Sequence, residues 1–424
     1  MQSKKNILIY AHYYIPDTAS TGQILRELAE GLLDTFNVTV ICVVPSYLGT
    51  VDPEYKIKKV YYEKINGVNI IRVNVPEFSK DNKLSRVKNI MAYFFRARKA
   101  TRGIKNIDYI LCVSQPPILG GLLGVYGKKK THAKLIYQIQ DFNPEQIMAV
   151  KYSHNKLALN LMKKLDKYSC KKSDLVVTVG RDLVETLKNR FSKDPKEMPK
   201  VVMINNWIDE TTIYPLKKCN EGVLKFKEEY NLTDKFVIMY SGNLGLYYDL
   251  ENIFKVILEF KPGTKTVDGR EVVFAFVGAG SVLNKLKNYK ETHNMSNVVF
   301  IPYQDKDRLI FSLNAADVHW CVNSKGIKGV SCPSKYYGLA ACAKPILGVL
   351  EKGSEIYSLI EETNGGLLCE PGDYVGIKKN IDWFINHADD EILEDMGRRS
   401  HNNLIRNLTK EKSIKKYAEE ILKI

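Results

Sequence analysis

Three groups of residues in this chain have the types and spacing to do chemistry. The stretch "NSKGIKGVSCPSKYYGLAACAKPIL", from Asn323 to Leu347, sets Lys325, Lys328 and Lys335 among small residues beside a turn into a helix. Such a stretch is either a solvated loop or a cradle for an anion, since ammonium groups and free helix-start amides favour the same negative charge. The stretch "YQIQDFNPEQ" places Asp141 and Glu145 at the end of an apolar run, with Pro144 stiffening the turn. A carboxylate there can take the proton of a substrate hydroxyl or hydrogen-bond a sugar. Asp141 can equally cap a helix. His12 follows the first apolar run and is read either as a site residue or as a structural histidine.

Glycine-bearing turns supply further anion sites. In "YYIPDTASTGQILREL", Gly22 stands at the mouth of a helix behind two possible N-caps, Ser20 and Thr21. Free amides and the helix dipole suit a phosphate there, although the same residues can do no more than start a helix. The turn "YSGNLG", with Gly242 and Asn243, can cradle phosphate in the same manner. The turn "FVGAGS", with Gly278, lacks the third glycine and the acidic partner of a dinucleotide loop, so it reads as a tight turn.

Strand ends and helix starts must hold these residues. Apolar runs such as "NILIYAHYY", "NVTVICVVP", "YILCVSQPP", "KLIYQIQD" and "LVVTVG" alternate with helical spacings in the first half. The second half repeats the pattern with "KFVIMYSGN", "VVFAFVGAG", "VVFIPY", "DVHWCVN" and "KPILGVL". Continuous apolar strands separated by helices predict parallel sheets covered on both faces. A polar stretch from Pro215 to Glu221 reads as the linker, giving two doubly wound α/β domains over 1–214 and 222–412. Ligands are expected at the carboxyl ends of the strands, in a shared cleft.

Composition narrows the partners. The 424 residues exceed one ordinary core. The formal net charge of +15 points to a polyanionic partner. The eight scattered cysteines form no CxxC pair, so neither a zinc site nor a disulfide framework is expected. Free thiols fit a reducing cytosol. No stretch reaches the length of about 18 apolar residues that a spanning helix needs. Nucleic acid could use the charge, but no matching module is present.

One segment departs from this pattern. In "LSRVKNIMAYFFRARKATRGIK", Leu84, Val87, Ile90, Met91, Phe94 and Phe95 share a helical face. Arg86, Lys88, Arg96, Arg98, Lys99, Arg102 and Lys105 surround it with no acid between them. Such a helix can lie in an anionic bilayer interface, or pack its apolar face on its own sheet. We take the bilayer reading, with Arg96, Arg98, Lys99, Arg102, Phe94 and Phe95 as the contact residues.

Taken in order, "YYIPDTASTG", "IQDFNPE", "INNWID", "YSGNLG" and "PSKYYGLAACAKP" resemble GT-B glycosyltransferases of the family 4 type, near the bacterial surface-polysaccharide branch. The resemblance spans nearly the whole chain. It implies two Rossmann-like domains, the N-terminal one taking the acceptor and the C-terminal one the nucleotide-sugar donor, with the last helix (413–424) returning to the first domain. It implies a retaining hexosyltransferase (EC 2.4) that needs neither metal nor cofactor. The donor would be a UDP-sugar rather than a GDP-sugar, and the acceptor a polyprenyl-diphosphate-linked sugar on the cytoplasmic face of the plasma membrane. Asn243, Gly242, Ser334, Lys335, Gly278 and Gly338 would bind donor, and Gly22, Thr21 and Glu145 acceptor. Asp141, Lys335 and His12 would be catalytic. Two departures matter. The cations that grip the diphosphate fall on Asn243 and near Tyr248, and the E-x7-E glutamates fall on Val330 and Gly338. Lys335 is expected to supply the missing charge. A non-hydrolysing sugar-nucleotide epimerase and a catalytically weak binding subunit are the competing readings.

Overall fold

A computed structural model describes residues 4–17, 20–79, 82–149, 155–388 and 391–424. The chain divides into two compact units, one of Met1–Asn205 with Glu411–Ile424, the other of Asn206–Lys410. The division falls upstream of the expected linker for a physical reason. Asn314 of the second unit receives a hydrogen bond from the Leu216 amide at 2.9 Å and donates to the Tyr214 carbonyl at 3.0 Å. Lys410 likewise holds Asp209 at 2.6 Å.

The first unit is built on strands β1 (Lys5–Tyr10), β2 (Phe36–Val43), β3 (Val60–Ile65), β4 (Val68–Val73), β5 (Tyr109–Val113), β6 (Lys134–Ile139), β7 (Leu175–Thr178) and β8 (Lys200–Met203). Their order is β3-β4-β2-β1-β5-β6-β7-β8. All neighbours are parallel except β3, which runs against β4 at the edge. The β3–β4 hairpin turns on Asn66 and Gly67, both at positive φ, the dipeptide that primed two-residue turns favour.

Alternation along β6 shows why both faces are covered. Tyr137 donates to Asp166 of helix 156–172 at 2.6 Å, whereas Gln138 points the other way and donates to Tyr417 of the C-terminal helix at 2.7 Å. That last helix, Lys410–Leu422, also sets Ile414 against Gly31 and pairs Glu420 with Lys200 at 2.8 Å.

The second unit carries β9 (Lys235–Ser241), β10 (Glu271–Val277), β11 (Val298–Ile301), β12 (Val318–Val322), β13 (Ile346–Val349) and β14 (Gly366–Cys369), all parallel in the order β11-β10-β9-β12-β13-β14. One core packs Phe236, Ile238, Tyr240, Phe254, Phe274, Phe276 and Trp320 between this sheet and its helices. The opposite sheet face buries Val237, Met239 and Ala275 against Val223 and Phe226.

Candidate active site

In the second sheet the order reverses at β9, which has β10 on one side and β12 on the other, and such a switch point opens a crevice at the strands' carboxyl ends. The turn after β9 stacks on the turn after β10, the Gly242 amide donating to Val277 O and the Leu244 amide to Ala279 O, both at 2.9 Å. Gly242 and Gly278 have φ of +141° and +130°, and a Cβ on Gly278 would sit 2.1 Å from the Gly242 carbonyl oxygen. Only glycines allow this approach.

Lys335 enters that turn from the start of helix 335–341. Its stem lies over Gly242 so closely that a Cβ there would be 2.5 Å from Lys335 Cε. Its ammonium rests 3.6 Å from the centroid of the Tyr248 ring and 4.9 Å from that of Tyr240. No salt bridge to a carboxylate is found for it among the described residues. Burial among the rings lowers its pKa from 10.5 to about 8. Lys335, a half-buried residue, is therefore a cation at neutral pH with its ammonium packed on two rings and no acid beside it among the described residues, held beside Gly242 and Asn243. The Asn243 carbonyl accepts from Tyr240 Oη at 2.6 Å and its side chain is exposed.

The other lysines of that stretch are placed differently. Lys328 Nζ donates to the Lys352 carbonyl at 2.6 Å, and Lys325 is exposed. The loop amides of Gly326 and Lys328 are taken by Glu351 Oε2 at 2.9 and 2.8 Å, so the protein's own carboxylate fills that nest. Ser334 is exposed and makes no capping bond. Gly338 is buried, with room for a Cβ only 3.4 Å from Leu313 Cδ1.

In the first sheet the order reverses at β1, between β2 and β5. Here His12, Thr21 and Gly22 line one small cavity together with Tyr13, Val113 and Gln115. Three expected site residues thus meet in space. His12 is 7% exposed, its Nε2 has no hydrogen-bond partner among the described residues, and its ring lies against Tyr13 and Tyr93. Burial, reinforced by the charge of Arg86, lowers its pKa to about 3. The imidazole is neutral at physiological pH, fit to exchange a hydrogen bond with a ligand and too weakly basic to hold a proton. The capping expected of the Ser20 side chain lies outside the described residues.

Asp141 follows β6 and is partly exposed, its amide 3.4 Å from Ser114 Oγ at the end of β5. Glu145 is engaged elsewhere. Its carboxylate accepts from Arg190 at 2.5 Å and pairs with Lys163 at 3.5 Å, while Arg190 also grips buried Asp166. Burial pushes the Glu145 pKa up, but the charge and hydrogen bond of Arg190 outweigh it, and the net shift is downward. Sequence reasoning missed this network because Arg190 and Asp166 carry no local signal. It marked Tyr248 only as the place of a missing cation, and did not foresee its contact with Lys335.

Helix Lys83–Thr101 turns an unexpected face inward, burying Asn89, Tyr93, Ala97 and Thr101. Leu84, Val87 and Phe95 are exposed, and Phe94 is partly so. The cations differ from expectation. Arg96 is tied to the carbonyl and side chain of Asn74, Arg98 stacks over Tyr126 at 4.3 Å, and Arg102 donates to Tyr126 Oη at 3.0 Å. Of the four expected surface cations, Lys99 alone stands exposed with no partner among the described residues.

No family model matches the chain. It is 28% identical over 319 residues to the probable glycosyltransferase WbjE of Pseudomonas aeruginosa, covering 72% of this chain and 74% of that protein. It is 22% identical over 384 residues to the putative colanic acid biosynthesis glycosyl transferase WcaI of Escherichia coli K12, covering 86% and 88%. The structure of Anabaena HepE in complex with UDP and glucose superposes with a TM-score of 0.69 at 12% identity, over 99% of this chain and 100% of that one. Two parallel-sheet α/β units with these strand orders, together with that superposition, are the GT-B fold. The chain is a GT-B-fold relative of bacterial glycosyltransferases.

Proposed function

We propose that this chain transfers a sugar, with retention, from a UDP-sugar in preference to a GDP-sugar onto a lipid-linked sugar in surface-polysaccharide assembly. The observation that carries the reading is Lys335, an ammonium packed against Gly242 at the carboxyl end of β9 with no acid beside it. The relatives' names and the UDP bound by HepE support the substrate class. In this reading Lys335 faces the diphosphate and stabilises the charge that grows as the bond from the anomeric carbon to the diphosphate oxygen breaks. The acceptor hydroxyl attacks the same face of the sugar, and its proton passes to Asp141 or to the departing phosphate oxygen. Lysine and backbone amides supply the charge, so no metal or cofactor is required. His12, whose Nε2 has no partner among the described residues, would hydrogen-bond the acceptor.

The acceptor's lipid calls for a membrane, and no described helix is long and apolar enough to cross one. Helix 83–101 would instead lie on the anionic cytoplasmic leaflet through Leu84, Val87, Phe95, Lys88 and Lys99. The test is incubation with UDP- and GDP-sugars and a polyprenyl-diphosphate sugar, reading product and anomeric configuration. Sugar transfer supports the proposal. Epimerised nucleotide sugar without transfer, or binding without turnover, would refute it.

A further inference from the structure

We infer that the first unit touches the bilayer at two places, the second being helix 156–172, so that the carboxyl edge of its sheet is held against the lipid. This rests on the membrane reading above and adds a contact that helix 83–101 does not provide. Helix Lys156–Lys172 buries Leu159, Asp166, Ser169 and Cys170. On the other side it shows Leu157 at 84% and Leu161 at 58% exposure, followed by Lys164 and Tyr168 at helical spacing. Leucines that open to water are costly to leave bare in such a cluster.

Three observations choose an anionic bilayer as the occupant. Along the flank of this face the lysines are paired, Lys163 with Glu145, Lys167 with Asp194 and Lys171 with Glu197. Lys156 and Lys164, beside the exposed leucines, have no ion-pair partner among the described residues, and the helix's one acid, Asp166, is buried on Arg190. The stripe of Leu157, Leu161 and Lys164 is thus apolar with a cation and without an acid of its own helix, as on helix 83–101.

Topology puts both faces on the same side. The crossovers β4 to β5, β5 to β6 and β6 to β7 all step in one direction across the sheet. Right-handed crossovers of one direction lay their helices on one face. Helix 119–131 accordingly packs between helices 83–101 and 156–172. Both outer helices follow parallel strands and begin at the carboxyl edge, the edge that carries His12 and Asp141. Leu84 and Val87 on one and Leu157 and Leu161 on the other lie in the first two turns, and Phe95 extends the first patch into the fourth turn.

The test is flotation of the full chain with phosphatidylcholine vesicles containing phosphatidylglycerol. Two double variants are compared, V87Q/F95Q and L157Q/L161Q, each on exposed positions and each checked for unchanged thermal unfolding. Either pair should weaken partitioning by about tenfold or more, since two buried leucines or their equivalent are lost. Wild-type binding by L157Q/L161Q alongside a loss in V87Q/F95Q would overturn the two-point contact and leave the membrane reading standing. Absence of wild-type binding to anionic vesicles would overturn both.

Discussion

Lys335 and Asp141 divide the proposed chemistry between charge and proton. With its pKa at about 8, Lys335 should grip a nucleoside diphosphate at pH 7 and lose that grip as the pH rises through 8. Calorimetric titration with UDP across that range checks it, and a flat affinity would remove the ammonium from the site. Stability runs the opposite way. An unfolded lysine keeps its proton to about 10.4, so the folded, ligand-free chain carries a penalty that is full below about pH 8 and is relieved as pH climbs from there towards about 10.4. Tyr248 positions the ammonium by cation–π contact, so Tyr248→Phe should preserve UDP affinity while Tyr248→Leu weakens it, by about 1 kcal/mol. Asp141→Asn keeps the shape but cannot accept a proton, and should cut transfer by about a hundredfold with nucleotide binding intact. Equal transfer by that variant would return Asp141 to a capping role. Lys335 was legible from its charge and its place before a helix. Its contact with Gly242 was not, because nothing local in the sequence links residues 242 and 335.

Turns and helices convert these side chains into a site. The turn after β9 works only if Gly242 stays bare, since a Cβ would meet Lys335 Cε at 2.5 Å and φ is +141°. Gly242→Ala should therefore cost about 1–3 kcal/mol in stability and displace Lys335, with UDP affinity falling along with Tm; a variant with wild-type Tm and affinity would contradict this packing. Glu145 belongs to a different device, the clasp of Arg190 on helices 145–149 and 156–172. Its folded pKa is depressed, so its contribution is full above the ordinary carboxylate value and vanishes as pH falls through the folded one. Glu145→Gln should destabilise by about 1–3 kcal/mol at pH 7, with the gap to wild type closing in acid, while transfer per folded molecule is unchanged. Denaturation at pH 7 and pH 3 reads this. Apolar runs announced the strands, since a parallel sheet buries both faces. The β3–β4 hairpin was missed although "ING" marks it, because β3 alternates partly exposed residues at an edge. Helix 83–101 showed its period but not its orientation. Periodicity finds a stripe, and the sheet here took the stripe of Asn89, Tyr93, Ala97 and Thr101 instead of the apolar one.

At the scale of the whole molecule, two parallel-sheet units each offer a switch point, and the second one's is lined with a cation. The net charge of +15 suggests an anionic partner without saying which; in the proposed function part of it meets a diphosphate, and in the proposed membrane contact part of it meets lipid. The central claim is that Lys335 in the second unit binds the diphosphate. The measurement is the thermal shift of the full chain with UDP and with GDP, for wild type and Lys335→Met. The variant removes a desolvated charge, so it should melt at the wild-type temperature or above without ligand. Wild type at saturating UDP, on the order of 100 times its dissociation constant, should gain about 2.7 kcal/mol, and Lys335→Met should gain little. An equal shift in the two proteins would contradict the account.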